Sequence, residues 1–205
     1  MRNLRAIPLT LALGSLLLPL GLSAPLVQQL KDGSFESWSQ GTDGYGMPTM
    51  VPANWTVEIG QVAPSPLATS GNDSAELRAL PNEVGGHFSQ IAQTVPSTKT
   101  DLPIVPGAYY DFSFDALGSY QGKGLGNASV TWTGALGHTL RVDTIDIAQS
   151  TGFVSYSVHL QAPIDPLTGD AATSATIRFY VDGQSSDVGV NLLVDNAQFG
   201  PSAPA

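Results

Sequence analysis

The chain has 205 residues, eight Lys plus Arg against 17 Asp plus Glu, a net charge of −9 and no cysteine. The missing thiols exclude disulfide staples, thiol catalysis and Cys-ligated zinc, and the acidic balance argues against DNA, RNA or another polyanion as partner. The length suits one domain with a real core.

The first residues form a basic stretch with Arg2 and Arg5, followed by an apolar run from Ala6 to Leu22. Gly21 and Ser23 are small residues at positions that suit signal-peptidase cleavage, so residues 1–23 read as an export signal. The product is expected outside the cytoplasm: secreted, periplasmic or on the cell surface. Pro8 and Pro19 interrupt the run, which disfavours an uncleaved membrane anchor, and no later run approaches spanning length.

Downstream, short apolar-alternating runs recur with turn residues between them. They predict strands near 27–37, 54–59, 74–80, 87–95, 108–117, 128–133, 138–147, 152–161, 173–182 and 190–199. In YYDFSFDA, Tyr110, Phe112, Phe114 and Ala116 point one way, and Tyr109, Asp111, Ser113 and Asp115 the other. Val154, Tyr156, Val158 and Leu160 alternate likewise, as do Ile177, Phe179 and Val181. A period of two with one apolar face means a half-buried strand. Gly-bearing turns such as TDGYG, QGKGLGN and VDGQSSD separate the runs, with QGKGLGN expected as a hairpin or loop. About ten strands without helical periodicity predict an all-β fold: a two-sheet antiparallel β-sandwich, with a jelly roll favoured. The domain is expected over 24–200, with 201–205 a flexible tail.

Two acids stand beside core-type residues: Glu36 next to Phe35 in KDGSFESW, and Asp195 inside the apolar strand of NLLVDNAQFG. If the first and last strands are neighbours, the two meet. Bare carboxylates about 5 Å apart repel by about 3 kcal/mol at an effective dielectric of 20. Calcium reverses that sign and accepts backbone carbonyls as well. The alternative is that Asp195 caps a turn through backbone N–H groups and Glu36 is solvated.

Catalytic motifs are missing. His87, His138 and His159 form no HExxH pattern, there is no GxSxG elbow, and GKGLGN lacks the ending of a phosphate loop. Asp111 and Asp115 share an outward strand face, whereas Asp143 and Asp146 fall on opposite faces. The expectation is a protein that is not an enzyme.

Sugar recognition needs flat aromatic faces and planar polar side chains. The outward strand faces supply Tyr109, Asp111, Asp115, His159, Arg178 and Tyr180 as candidate ligand-binding residues. Trp55 and Trp132 alternate in phase with apolar neighbours and are expected in the core. Trp38 and Tyr45 are candidates for a site at the loop edge.

The segments DGSFE.W, NW after a Pro-rich loop, SAELRA, PGAYYDFSF, YSVHLQAP and LLVDNAQFG resemble the jelly-roll carbohydrate-binding modules of families four, nine and twenty-two, within the galactose-binding-like fold. That resemblance implies a structural calcium where the first and last strands and an early loop converge. Glu36 and Asp195 match its side-chain positions, Asn72 and Ser74 would add oxygens from the loop GNDSAEL, and Asp32 a carbonyl. It also implies glycan or cell-wall polysaccharide binding. The competing expectation is a structural or adhesive cell-envelope protein acting through protein partners.

Overall fold

The computed structural model describes residues 27–79, 87–120, 124–183 and 189–202. The expected leader, 1–23, lies outside the described residues.

Twelve strands are present among the described residues: β1 (Trp38–Thr42), β2 (Pro48–Pro52), β3 (Thr56–Ile59), β4 (Gln61–Ser65), β5 (Ser74–Ala79), β6 (Phe88–Val95), β7 (Tyr109–Ser119), β8 (Leu125–Gly134), β9 (Thr139–Ile147), β10 (Val154–Gln161), β11 (Ala172–Asp182) and β12 (Val190–Pro201). They form two five-stranded antiparallel sheets, β10-β7-β12-β5-β4 and β3-β6-β11-β8-β9, with β1 and β2 as a separate ribbon. From β5 onward the chain passes between the sheets at every connection except the β8–β9 hairpin. The fold is an all-β jelly-roll sandwich, as expected.

Alternation decides which face goes inward. In β7, Tyr110, Phe112, Phe114 and Ala116 are buried while their odd-numbered neighbours are not. Ile177, Phe179 and Val181 meet them from β11. The rings interlock: Phe114 and Phe179 sit 5.1 Å apart edge-on, and Tyr110 lies parallel to Phe199 at 5.3 Å. Trp55 and Trp132 are both in the core, as their phase required. Each large side chain so buried contributes about 1.5–3 kcal/mol.

Two expectations need correction. Residues 27–37 are not a strand: they run beside β12 through bonds such as Gln29 N–H to Phe199 O (2.8 Å) and Ala197 N–H to Gly33 O (2.8 Å). Asp32 and Phe35 take φ of 52° and 55°, which breaks any ladder there. Of QGKGLGN, expected as a hairpin or loop, residues 121–123 lie outside the described residues and Leu125–Asn127 belong to β8. The first two residues of the expected tail, 201–205, are held: β12 extends through Pro201, and Ser202 N–H donates to Tyr109 O at 2.9 Å. Residues 203–205 lie outside the described residues.

Candidate functional site

The two singled-out acids hold one loop from two sides. Asp195 is 0% exposed. Its Oδ2 accepts from Thr69 N–H (2.6 Å), Ser70 N–H (2.7 Å) and Thr69 Oγ1 (3.0 Å). Its Oδ1 accepts from Asn196 N–H (2.6 Å) and Ser70 Oγ (3.1 Å). Glu36 accepts from Asn72 N–H (2.9 Å) and Asp73 N–H (3.3 Å) a few residues further along the same loop. Ser74 Oγ donates to Leu67 O, and the Asp32 carboxylate accepts from Glu36 and Ser37 N–H. The Asp32 carbonyl is met by Trp55 Nε1–H at 3.2 Å.

Calcium requires six to eight oxygens turned toward it. Here N–H and O–H donors face both carboxylates, which suits a capped loop and does not fit the ion. Among the described residues no group of three or more acid or histidine side chains converges as a metal centre would. The arrangement matches the alternative for Asp195, while Glu36 grips the loop instead of standing solvated.

A second constellation lies on the outer face of the β10-β7-β12 sheet. Cross-strand register sets His159 opposite Asp111 and Ser155 opposite Asp115. His159 Nδ1 is 2.7 Å from Asp111 Oδ1, which leaves Nε2 facing away from the carboxylate. The imidazole stacks on Tyr109 with centroids 4.6 Å apart and planes 8° from parallel. Both rings are open to solvent, Tyr109 at 49% and the His159 side chain at 56%. Asp115 Oδ1 accepts from Ser155 Oγ (2.5 Å), and its Oδ2 lies 2.7 Å from Thr69 Oγ1, whose single proton it shares with Asp195. Gln198 and Asn196 on β12 bond each other at 3.0 Å beside it. Ser202 Oγ is 3.1 Å from His159 Nδ1, the same nitrogen that faces Asp111. A Ser-His-Asp relay needs opposite nitrogens, so this trio is not a nucleophile with its base.

Of the candidate ligand-binding residues, Tyr109, Asp111, Asp115 and His159 are thus brought together. Arg178 and Tyr180 are on β11, in the other sheet, and face the opposite side of the sandwich. There Arg178 pairs with Glu58 (3.0 Å) and reaches Thr131 Oγ1 (3.1 Å), and Glu58 also takes the Gln90 amide. Tyr180 stacks on Phe88 at 6.2 Å, and burial first, then Asp182, pushes its phenol up to about 12. Trp38 is half-buried against the core, its Nε1–H bonded to Phe35 O. Tyr45 is exposed in the β1–β2 turn. These two do not join either constellation. Thr69, Asn196, Gln198 and Ser202 are additions that no sequence pattern marks, since each arrives from a loop or from beyond a bulge in β12.

No protein-family model matches the sequence, and no curated protein matches it. Solved structures do resemble it. A Stig cyclase from Fischerella sp. TAU superposes with a TM-score of 0.55 at 15% identity, over 87% of this chain and 98% of that one. The enzymatically active domain of a tailspike protein from bacteriophage CBA120 gives 0.53 at 20% identity, over 85% of this chain, which spans only 21% of the tailspike chain. Carbohydrate-binding modules of families 16, 4 and 22 are among the neighbours. The family 22 xylan-binding domain, from Paenibacillus barcinonensis, gives 0.47 at 12% identity over 74% of this chain and 88% of that one. At such identities the likeness concerns the fold alone.

Proposed function

We propose that this protein is an exported, non-catalytic glycan-binding module whose binding face is the outer side of β10-β7-β12. The observation that supports it is the open Tyr109–His159 ring pair beside the oriented carboxylate of Asp111, with Asp115 further along the same strand face. An exposed ring offers a flat apolar surface for the C–H face of a sugar, and the Asp111 carboxylate, with Oδ1 engaged by His159, accepts a hydroxyl proton with Oδ2. Gln198 adds an amide. Glycan arrays and insoluble-polysaccharide pull-downs on the chain without residues 1–23 test the proposal. Tyr109→Ala should weaken the best hit at least about tenfold, since stacked aromatics carry much of such binding energy. Arg178→Ala and Tyr180→Ala, on the other sheet, should not change it. A hit that depends on Tyr180 and ignores Tyr109 overturns the assignment of the face.

This reading includes no calcium, since N–H and O–H donors face Glu36 and Asp195. Adding calcium or a chelator should leave Tm unchanged. A rise of several degrees in calcium would mean that the 69–73 backbone turns its carbonyls inward to bind the ion.

One observation favours the competing reading, a cell-envelope protein acting through protein contacts. Leu136 and Leu167 are 85% and 93% exposed on two loops tied together by Ala135 N–H to Asp170 Oδ1 (3.3 Å). No glycan hit, together with capture of an envelope protein that Leu136→Ser plus Leu167→Ser abolishes, would decide for it.

A further inference from the structure

Each five-stranded sheet ends in two edge strands, β10 and β4 in one, β3 and β9 in the other. Three of the four are protected in ways that native edges use. β4 is capped by the β1–β2 ribbon and carries Pro64. β3 is four residues long, and a bulge breaks its pairing with β6. β9 carries Arg141, Asp143 and Asp146. β10, VSYSVHLQ, has none of these devices: it runs for eight residues without proline, lysine or an acid, in unbroken register along β7.

The direction of its backbone groups follows from the bonds just past its end. Ala162 N–H donates to Ala108 O at 2.9 Å, and Gly107 N–H donates to Ala162 O. Successive residues of an antiparallel strand turn their N–H and C=O to opposite sides. Even-numbered residues of β10 therefore bond to β7. Ser155, Ser157 and His159 turn theirs to the open side, where no backbone partner is found among the described residues. Gln161 continues that row, and its carbonyl is taken by the Arg141 guanidinium. The inward side chains are equally unfinished. Val154 is 43% exposed despite its inward phase, and Tyr156, Val158 and Leu160 are only partly buried against the core.

We infer that β10 is the docking edge for a second copy of this chain, the two β10 strands pairing antiparallel about a two-fold axis through Ser157. The edge requires an extended, uncharged strand with apolar residues on one face only, and β10 itself is such a strand. A two-fold axis normal to the sheet keeps the inner faces together, so only residues of like parity stand opposite. With Ser157 on Ser157, the open N–H and C=O groups of Ser155, Ser157 and His159 in each copy meet those of the other. Tyr156 then stands opposite Val158, and Val154 opposite Leu160, which closes the apolar strip. Charge selects this register. Asp111 on β7 takes His159 Nδ1, so Nε2 lies toward the open side. There it approaches Ser155 of the second copy, whose hydroxyl is backed by the Asp115 carboxylate at 2.5 Å, and symmetry makes the same contact twice. The other register of correct parity, Val158 on Val158, sets His159 against Ser157, whose neighbour on β7 is the neutral Ser113. The pairing also joins the two open Tyr109–His159 faces into one surface, a point that rests on the proposed function.

Sedimentation equilibrium of the chain without residues 1–23, over a concentration series and without sugar, tests the inference. The mass should rise toward two chains. Ser157→Lys sets two ammonium groups against each other on the axis and should hold the mass at one chain, while the protein still unfolds cooperatively because this side chain is exposed. Thr56→Lys adds the same charge on β3, at the other side of the molecule, and should leave the mass at two. The chain has no cysteine, so Ser157→Cys supplies a single thiol. Opposed Cα atoms of a hydrogen-bonded pair are about 5.5 Å apart, within disulfide reach, so mild oxidation should link two Ser157→Cys chains and not two Thr56→Cys chains. A mass of one chain at every concentration overturns the inference, whether a strand of another protein takes the edge or none does. A dimer that survives Ser157→Lys, or one linked through Thr56→Cys instead, overturns it as well. Because no sugar is present, failure here leaves the glycan reading standing, and failure of the glycan reading leaves the mass unchanged.

Discussion

Phe35 is fully buried while its backbone holds a φ of 55°, a conformation that bulky residues rarely adopt. Its position is imposed from outside: the ring packs 5.2 Å from Trp55, its carbonyl receives the Trp38 indole N–H, and the Asp32 carboxylate binds the next two N–H groups. Gly33 beside it has no such freedom to change. A Cβ there would collide with the Ala197 carbonyl oxygen, a backbone atom that already accepts from the Gln28 amide at 3.0 Å. Gly33→Ala should therefore cost more than about 2 kcal/mol and lower Tm by several degrees in a thermal melt, whereas Ser34→Ala should be nearly neutral. The pattern KDGSFESW announces a turn, an aromatic and an acid. It does not announce which carbonyl the glycine must clear, because that oxygen comes from the other end of the chain.

Among the elements, the long strands were legible and three of the short ones were not. β7, β8, β10 and β11 alternate over eight to eleven residues, so their apolar faces show in the sequence. β1, β2 and β4 are five residues each and mostly half-exposed, so no periodicity betrays them. Their role is to guard an edge. β4 ends its sheet, and the β1–β2 ribbon packs against it: Val62 N–H donates to Thr49 Oγ1 at 3.1 Å, and the same hydroxyl lies 3.3 Å from Val62 O. An uncovered edge strand invites pairing with other chains. Thr49→Val keeps the shape and removes the hydroxyl. It should cost about 1–3 kcal/mol in urea unfolding by leaving the Val62 N–H unmatched, and it should raise the tendency to self-associate. A stability unchanged from the parent would show that water serves that edge equally well. Sheet membership was equally hidden. Arg178 and Tyr180 have the same outward phase as Tyr109 and His159, yet they face opposite sides of the molecule, because alternation gives a strand's inner face and never its neighbours.

Across the whole molecule, the two ends of the described chain are bound together. Beyond the bonds to β12, Lys31 ties to β6 and to the connection that follows it: its N–H and C=O pair with the Gln93 amide, and its ammonium lies 3.3 Å from Asp101. Hydrogen bonds from the Ser97 hydroxyl, with Thr98 and Lys31 adding theirs, hold the Asp101 carboxyl well below its ordinary 3.8. In the folded state Asp101 thus binds its proton less readily than in the unfolded state. The stability it supplies is present above the ordinary value and is lost as pH falls through the depressed one. Asp101→Asn should flatten the fall of Tm with acid below about pH 4 and leave the slope near neutrality unchanged. An identical acid limb in parent and variant would remove Asp101 from that role.

The sequence by itself determined the strand-and-turn class, the sandwich, the core faces and the two marked acids. These depend on local alternation and composition, which each segment carries within itself. The tertiary structure alone decided the partners: that Glu36 and Asp195 meet N–H groups of one loop, that Tyr109 stacks on His159, and that Tyr120 lies between Gly118 and Gly126. Each joins groups that strand order and sheet crossing bring together, and that order is set by how the whole core packs, not by any one stretch of chain.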